Sequence, residues 1–158
     1  MKKIFYILVI FLFKINIAYS LIEVDITRGN LDPLPIAVSP LHVDPQSDDY
    51  KDAKTKELGG LISSVVEKNF KSTGLFNPLN KDAFVQKPDI AHLKPRFEDW
   101  SLITAQALVT GKLLIKDEKL KIEFRLWDVA ANKEMIALAF TTTPSNWRRV
   151  AHIISDKI

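Results

Sequence analysis

Apolar and polar residues alternate with a period of two in the second half of the chain, a pattern that predicts β-strands. Three such strands are expected, over residues 107–115, 120–127 and 135–142. In the second of them one face is apolar throughout, with Leu120, Ile122, Phe124 and Leu126. Because an antiparallel sheet can bury one face and leave the other in water, we predict that these strands form an antiparallel meander.

A period of three to four residues begins at Thr55 and predicts a long helix. Its apolar stripe consists of Leu58, Leu61, Ile62, Val65, Val66 and Phe70. Gly74 stands where a left-handed C-terminal cap is expected. Gly59 and Gly60 each cost a helix interior roughly 0.8–1.0 kcal/mol relative to alanine. They indicate close approach of another backbone or an anion at a helix start, and since no P-loop lysine follows them, close packing is favoured.

Two further helices are expected. Thr143 and Pro144 open the last one, with threonine as the N-cap and proline at the first helical position. Its apolar stripe consists of Trp147, Val150, Ala151, Ile154 and Ile158. A two-turn helix is expected to begin near Glu98 and Asp99, whose negative charges suit a helix start. Residues 81–96 are expected to be a loop with one helical turn near its beginning.

Three shorter strands complete the prediction. Residues 21–27 alternate between apolar and polar side chains, residues 36–41 form a short apolar run typical of a buried strand, and residues 75–79 follow the first helix. The predicted order is β-β-α-β-α-β-β-β-α. We therefore predict an α/β fold of the α+β type, in which the helices pack on one face of a mixed sheet.

Residues 1–20 have the pattern of a secretory signal peptide. A basic start precedes a ten-residue apolar run, and Ala18 and Ser20 are small residues at positions −3 and −1 of a cleavage site. A membrane span needs ~20 apolar residues, and Lys14 interrupts this run well before that length. We expect cleavage before Leu21 and export of the remaining chain without insertion into the membrane.

Charge and composition exclude several classes of function. The chain has 158 residues, with 22 lysines and arginines and 19 acidic residues. Three of the cations fall in residues 1–20, which hold no acid, so the rest of the chain has no charge excess to attract nucleic acid or anionic lipid. Cysteine is absent, which excludes disulfides, thiolate metal sites, cysteine nucleophiles and a lipid-modified cysteine.

Candidate catalytic and metal-binding residues are few. His42, His92 and His152 are scattered without metal-ligand spacing, and we interpret each as structural or solvent-facing. The adjacent carboxylates at residues 48–49 and 98–99 suit a polar loop and a helix surface better than an acid and base pair. No nucleophile elbow or dinucleotide-binding loop occurs. We therefore predict a non-enzymatic protein without cofactor or metal.

The candidate functional residues are those of the N-terminal strand. They are Leu21, Ile22, Glu23, Val24, Asp25, Ile26 and Thr27. The strand is followed by Gly29 and a proline-rich stretch, so it suits an edge strand or a detachable arm. Such segments bind partners by adding a strand to the sheet of another protein. The alternative, that the strand only completes its own sheet, is equally open on periodicity alone.

Several segments resemble the amino-terminal domain of the TolB family. They are residues 34–38 (LPIAV), 73–76 (TGLF), 99–100 (DW), 107–111 (ALVTG), 124–129 (FRLWDV) and 140–152 (FTTTPSNWRRVAH). The last two are long and specific, and the similarity extends over residues 21–158. Residues 104–106 and 28–29 depart locally from the family pattern.

The resemblance implies a periplasmic, non-enzymatic component of the Tol-Pal system of Gram-negative bacteria. This system links the inner-membrane Tol proteins to the outer-membrane lipoprotein Pal and supports outer-membrane integrity and constriction during cell division. The resemblance also implies that residues 21–27 bind the C-terminal domain of TolA, and that this segment can pack back on the body. The implied organisation is a signal peptide (1–20), a partner-binding strand and hinge (21–34) and an α/β domain (35–158).

The chain departs from the family in one large respect. Family members continue into a six-bladed β-propeller that carries the Pal-binding surface, and this sequence ends before it. Pal binding is therefore not assigned to any residue of this chain. The alternatives are a stand-alone periplasmic adaptor and a truncated remnant without function.

Overall fold

The structure of the protein is a computed structural model that describes residues 32–158. The predicted signal peptide and the predicted partner-binding strand lie outside the described residues. The strands are β1 (Leu34–Val38), β2 (His42–Val43), β3 (Phe76–Pro78), β4 (Ala107–Lys116), β5 (Lys119–Asp128) and β6 (Lys133–Thr142). The helices are α1 (Ala53–Thr73), α2 (Pro88–Ala91), α3 (Phe97–Leu102) and α4 (Trp147–Lys157), and two 3-10 turns span Lys81–Ala83 and Pro144–Asn146.

The strands form one mixed sheet in the order β3-β1-β4-β5-β6. Strand β1 is parallel to both β3 and β4, and the two-residue β2 is parallel to the far end of β4. Strands β4, β5 and β6 are antiparallel, with Leu113 opposite Ile122 and Ile122 opposite Phe140. The α+β class and the C-terminal meander are thus confirmed.

One face of the sheet packs against the two long helices. Helix α1 buries most of its predicted stripe there, and α4 buries Val150, Ala151 and Ile154. Leu61 is the exception: it is 46% exposed, so its assignment to the stripe of α1 was wrong. The predicted C-terminal cap of α1 is confirmed, because Gly74 has a φ of 71° and its N–H donates to the carbonyl of Lys71.

The opposite face of β1 and β4 is also buried, which corrects the prediction that all helices lie on one face. Helices α2 and α3 cover it, and Trp100 is 1% exposed against Ala37 and Leu108. Strands in parallel pairs are usually buried on both sides. This explains why β1 and the start of β4 have apolar residues at consecutive positions.

A buried glutamine, Gln86, hydrogen-bonds to Trp100 and to the chain around it. The side-chain oxygen of Gln86 accepts hydrogen bonds from the indole N–H of Trp100 and from the backbone N–H of Arg96, both at 3.0 Å. Gln86 is only 3% exposed, and its side-chain nitrogen lies 3.5 Å from the carbonyl oxygen of Lys94. The glutamine therefore ties the start of α3 to the loop before α2.

Close packing explains one of the two adjacent helical glycines. A Cβ on Gly59 would overlap the carbonyl oxygen of Leu41, and the N–H of Leu41 donates to the carbonyl of Gly59 at 3.2 Å. The prediction of close backbone approach is confirmed at Gly59. At Gly60 it is wrong, since a Cβ there would have no neighbour within 4 Å.

The expected strand over residues 36–41 is divided in the structure. Ser39 still donates to the carbonyl of Val109, but Pro40 has no N–H to donate, and Leu41 bonds α1 instead of β4. The chain rejoins β4 at β2, where His42 is opposite Lys112. Proline thus ends the first pairing and lets the chain contact the helix before it pairs again.

Two other expectations need correction. The loop over residues 81–96 contains the expected 3-10 turn but also α2, which begins at Pro88. Thr143 caps the 3-10 turn rather than α4, and its hydroxyl lies within hydrogen-bonding distance of the side chains of Ser145 and Asn146. Helix α4 then begins at Trp147.

Candidate functional site

The described residues begin at residue 32, so the contacts of the predicted partner-binding strand (21–27) lie outside them. The partner-binding strand and hinge were expected to extend to residue 34, but Leu34 is already the first residue of β1. Leu34 donates to the carbonyl of Leu75 at 2.9 Å, and the carbonyl of Pro35 accepts from Gln106 at 3.0 Å. The body of the domain therefore includes both residues, and a hinge is limited to positions before Leu34.

Two of the three histidines form a stacked pair between β2 and α2. The rings of His42 and His92 have centroids 4.5 Å apart and planes that differ by 8°. Nδ1 of His92 lies 2.9 Å from the carbonyl oxygen of Pro88, and Arg125 donates to the backbone carbonyl of His92. The histidine pair therefore joins α2 to the sheet, in agreement with a structural role.

Electrostatics at this pair favours the neutral form of His42. Burial lowers the pKa of the His42 imidazole below 6.5, and the neighbouring His92 and Lys112 lower it further. The carboxylates of Asp89 and Asp44 act in the opposite direction. The net result is an imidazole that resists protonation while the stack is intact.

A cleft of about 380 Å³ opens beside the histidine pair. Its lining includes Tyr50 and Lys56 on one side and Lys87 and Asp89 on the other. The ring of Tyr50 lies 5.8 Å from the Lys56 ammonium. Charges of both signs therefore line this cleft.

Glu67 on α1 is a partly buried carboxylate. Burial raises its pKa, while Lys81, 3.2 Å away, opposes that rise. The Lys81 ammonium also donates to the hydroxyls of Ser63 and Ser64 at 3.0 and 3.2 Å. This group fastens the 3-10 turn to α1 and is structural.

One carboxylate of each adjacent pair considered in the sequence makes a structural contact. Asp48 accepts from the backbone N–H of Asp117 at 2.9 Å, and Asp99 pairs with Arg96 at 2.7 Å. Within residues 32–158 there is no group of three or more side chains that could hold a metal ion. Nor is any helix in the same range long and apolar enough to cross a membrane.

Large apolar side chains are exposed on the face that carries α2 and α3. Val85, Ile90, Leu93 and Leu102 are between 50% and 81% exposed. A cavity of about 460 Å³ beside Leu102 is lined by Phe97 and Val129, among others.

A comparison with known protein families shows to which family the chain belongs. The model described as the TolB amino-terminal domain matches residues 22–135. The chain belongs to the TolB family. It is 63% identical over 155 residues to the Tol-Pal system protein TolB of Pelagibacter ubique (strain HTCC1062). The match covers 97% of this chain and 35% of that protein, so the chain spans about a third of the length of this TolB relative.

Solved structures agree on the fold. The chain is similar to the crystal structure of TolB from Acinetobacter baumannii, with a TM-score of 0.59 and 18% identity, over 78% of this chain and 27% of that one. It is also similar to lipoprotein GNA1162 from Neisseria meningitidis, with a TM-score of 0.52 and 13% identity, over 78% of this chain and 96% of that one. At such low identity these likenesses establish the fold alone.

Proposed function

We propose that this chain is a periplasmic, non-enzymatic component of the Tol-Pal system. The observation that carries the proposal is its membership of the TolB family, together with 63% identity to a Tol-Pal system protein over 97% of its length. The signal-peptide pattern of residues 1–20 supports export to the periplasm, with cleavage before Leu21. In this role the protein supports outer-membrane integrity and constriction of the envelope during cell division.

The proposed site of action is the N-terminal strand, residues 21–27, and the proposed partner is the C-terminal domain of TolA. Ile22, Val24 and Ile26 alternate with Glu23 and Asp25, the pattern of a strand with one apolar and one acidic face. Such a strand binds by adding to the edge of a partner sheet, where main-chain hydrogen bonds supply affinity and alternate side chains supply specificity.

The link to Pal is proposed for the family as a whole and not for any residue of this chain. Two thirds of the Pelagibacter relative lie outside the matched region. The TolB family places its Pal-binding surface on a β-propeller beyond the amino-terminal domain. The coupling of TolA to Pal is therefore proposed only for a protein that includes both parts.

A stand-alone adaptor is the second candidate. The fold occurs as almost an entire chain in the Neisseria lipoprotein, of which the match covers 96%. A domain of this fold can thus exist without a propeller. An adaptor of this kind would bind a periplasmic partner without connecting it to Pal.

A backbone substitution separates strand addition from other modes of TolA binding. Val24→Pro removes an N–H from the middle of the strand and is disfavoured within a paired strand. Val24→Ile keeps the β-branched, apolar character and serves as the matched control. We expect the affinity for the TolA C-terminal domain, measured by biolayer interferometry, to fall at least tenfold for the proline variant. Equal affinity of the proline variant and the parent would exclude strand addition by this segment.

A further inference from the structure

Strand β6 has an open edge. The sheet ends at β6, which pairs along its length with β5. Among residues 32–158, no strand pairs with the other side of β6. The edge of a sheet presents unpaired backbone N–H and C=O groups, which are a template for another strand.

The usual protection of such an edge is missing from most of β6. Natural edge strands are short, or carry charged residues, prolines or bulges that discourage pairing. Strand β6 is ten residues long, and residues 135–142 contain neither a charge nor a proline. The single irregularity in its pairing lies at one end, opposite Leu126 and Trp127. The rest of the edge is regular, and no other strand within residues 32–158 pairs with it.

The two faces beside this edge differ in chemistry. On the face of the main core, Ile136 and Phe140 are half-buried and Leu138 is 40% exposed. The opposite face carries Ala137 and Ala139, whose small side chains leave a shallow cavity of about 200 Å³ against β5. An added strand would therefore find apolar contacts on one side and open space on the other.

The face with the alanines is positively charged. Strands β4 and β5 place five cations there, namely Lys112, Lys116, Lys119, Lys121 and Arg125. Lys121 pairs with Glu123 at 2.7 Å and Arg125 pairs with Glu134 at 3.0 Å. Lys112 lies 3.9 Å from both Asp44 and Glu123, so five cations face three carboxylates. A hydrogen bond from Lys121 lowers the pKa of the Glu123 carboxyl, and the charges of Lys112 and Arg125 lower it further, although burial opposes the shift. The field on this face therefore favours negative charge.

We propose that the β6 edge binds an extended segment of another protein in which apolar and acidic residues alternate. In the paired strand, apolar side chains contact Ile136, Leu138 and Phe140, and the acidic side chains lie over the alanines, on the face where cations outnumber carboxylates. The period of two in a β-strand places the two sets on opposite faces, as the surface requires. This surface lies on the body of the domain and is distinct from the proposed TolA-binding segment.

Synthetic peptides test the proposal with the full chain. One ten-residue peptide alternates valine and glutamate, and a matched peptide alternates valine and lysine. Fluorescence anisotropy should show binding of the acidic peptide with an affinity at least tenfold higher than that of the basic one. Equal affinities for the two peptides, or no binding of the acidic peptide, would overturn the proposal.

Substitutions locate the binding on the chain. Leu138→Lys places a charge on the apolar face of the edge, and we expect at least a tenfold loss of acidic-peptide affinity. Lys121→Glu should lower the affinity for the acidic peptide and raise the affinity for the basic peptide. The control is Leu102→Lys, a charge at an 81% exposed leucine on another surface, which should change neither affinity. If Leu102→Lys weakens binding as much as Leu138→Lys, the site is not the β6 edge.

A second copy of the chain is the competing occupant. Sedimentation velocity at the concentrations of the peptide assay distinguishes it. We expect a monomer for both the parent and the Leu138→Lys variant. A dimer that Leu138→Lys dissociates would show that β6 pairs with itself, and it would overturn the proposal of an acidic partner.

Discussion

The imidazole of His42 lies flat against that of His92, with ring centroids 4.5 Å apart, although the two residues are fifty positions apart in the chain. His92 is 9% exposed and belongs to the loop that follows α2, whereas His42 begins β2. The stack therefore connects α2 to the sheet. Helix α2 is too short to have a long apolar stripe of its own. Because one of its two rings resists protonation, this connection depends on pH.

Acid should weaken the domain through His42. The pKa of His42 is below 6.5 in the folded protein, so the unfolded chain binds the proton more tightly. The contribution of the neutral His42 imidazole to the free energy of unfolding is fully present above about pH 7.5. It is lost as the pH falls through 6.5 toward the pKa of His42 in the folded protein. Urea unfolding between pH 5 and 8 measures it as a decrease in the free energy of unfolding on the acid side.

Two histidine variants test whether His42 causes this pH dependence. His42→Phe keeps an aromatic ring in the stack but cannot bind a proton, so its free energy of unfolding should vary less between pH 7 and pH 5 than that of the parent. His152→Gln removes an exposed histidine on α4, whose ring lies 3.0 Å from the side chain of Asn69, and serves as the comparison variant. If His42→Phe keeps the full slope, other groups cause the acid sensitivity.

The two neighbouring glycines of α1 should respond to alanine with opposite signs. At Gly59 a Cβ overlaps the backbone carbonyl of Leu41, which cannot rotate away as a side chain could. We expect Gly59→Ala to lower the free energy of unfolding by about 2 kcal/mol or more, because overpacking in a tight contact typically costs 1–3 kcal/mol.

The matched substitution lies one residue further along the same helix. A Cβ at Gly60 meets nothing within 4 Å, and its backbone is helical, so Gly60→Ala should raise the free energy of unfolding by about 0.5–1 kcal/mol. Chemical denaturation measures both variants. Equal effects at the two positions would mean that helix propensity, and not the contact with Leu41, controls the response.

Gln86 should be essential for the packing of Trp100. Gln86→Leu leaves the buried indole N–H of Trp100 and the partly buried backbone N–H of Arg96 without their acceptor, and a buried donor without a partner costs about 1–3 kcal/mol. We expect a loss of about 2 kcal/mol or more in unfolding free energy, together with a change in tryptophan fluorescence. Val85→Ala, at a 65% exposed neighbour, should stay within about 0.5 kcal/mol of the parent.

The long elements of the fold were predictable because their periodicity extends over several turns or strand pairs. The meander strands and α1 each bury a repeated face, and repetition makes the pattern visible in one sequence. Short elements lack that repetition. Strand β2 has two residues and α2 has four, so their existence depends on tertiary contacts with β4 and on the histidine stack.

The contacts that join distant parts of the chain could not be predicted, because no local pattern in the sequence indicates them. A lone glutamine at position 86 is indistinguishable from a loop residue until Trp100 is placed beside it. The place of β6 at the end of the sheet formed by the described residues is likewise a property of strand order, since the alternation of residues 135–142 does not show which strand lies there. The family resemblance and the proposed TolA-binding segment, in contrast, depend on sequence alone.

Calorimetric titration with the TolA C-terminal domain is the most direct test of the central claim. The chain from Leu21 onward is compared with a chain that lacks residues 21–27, and circular dichroism verifies that both are folded. The account predicts saturable binding by the first chain and none by the second. Equal binding by both chains, or no binding by either, would contradict the proposal that this strand is the TolA-docking segment.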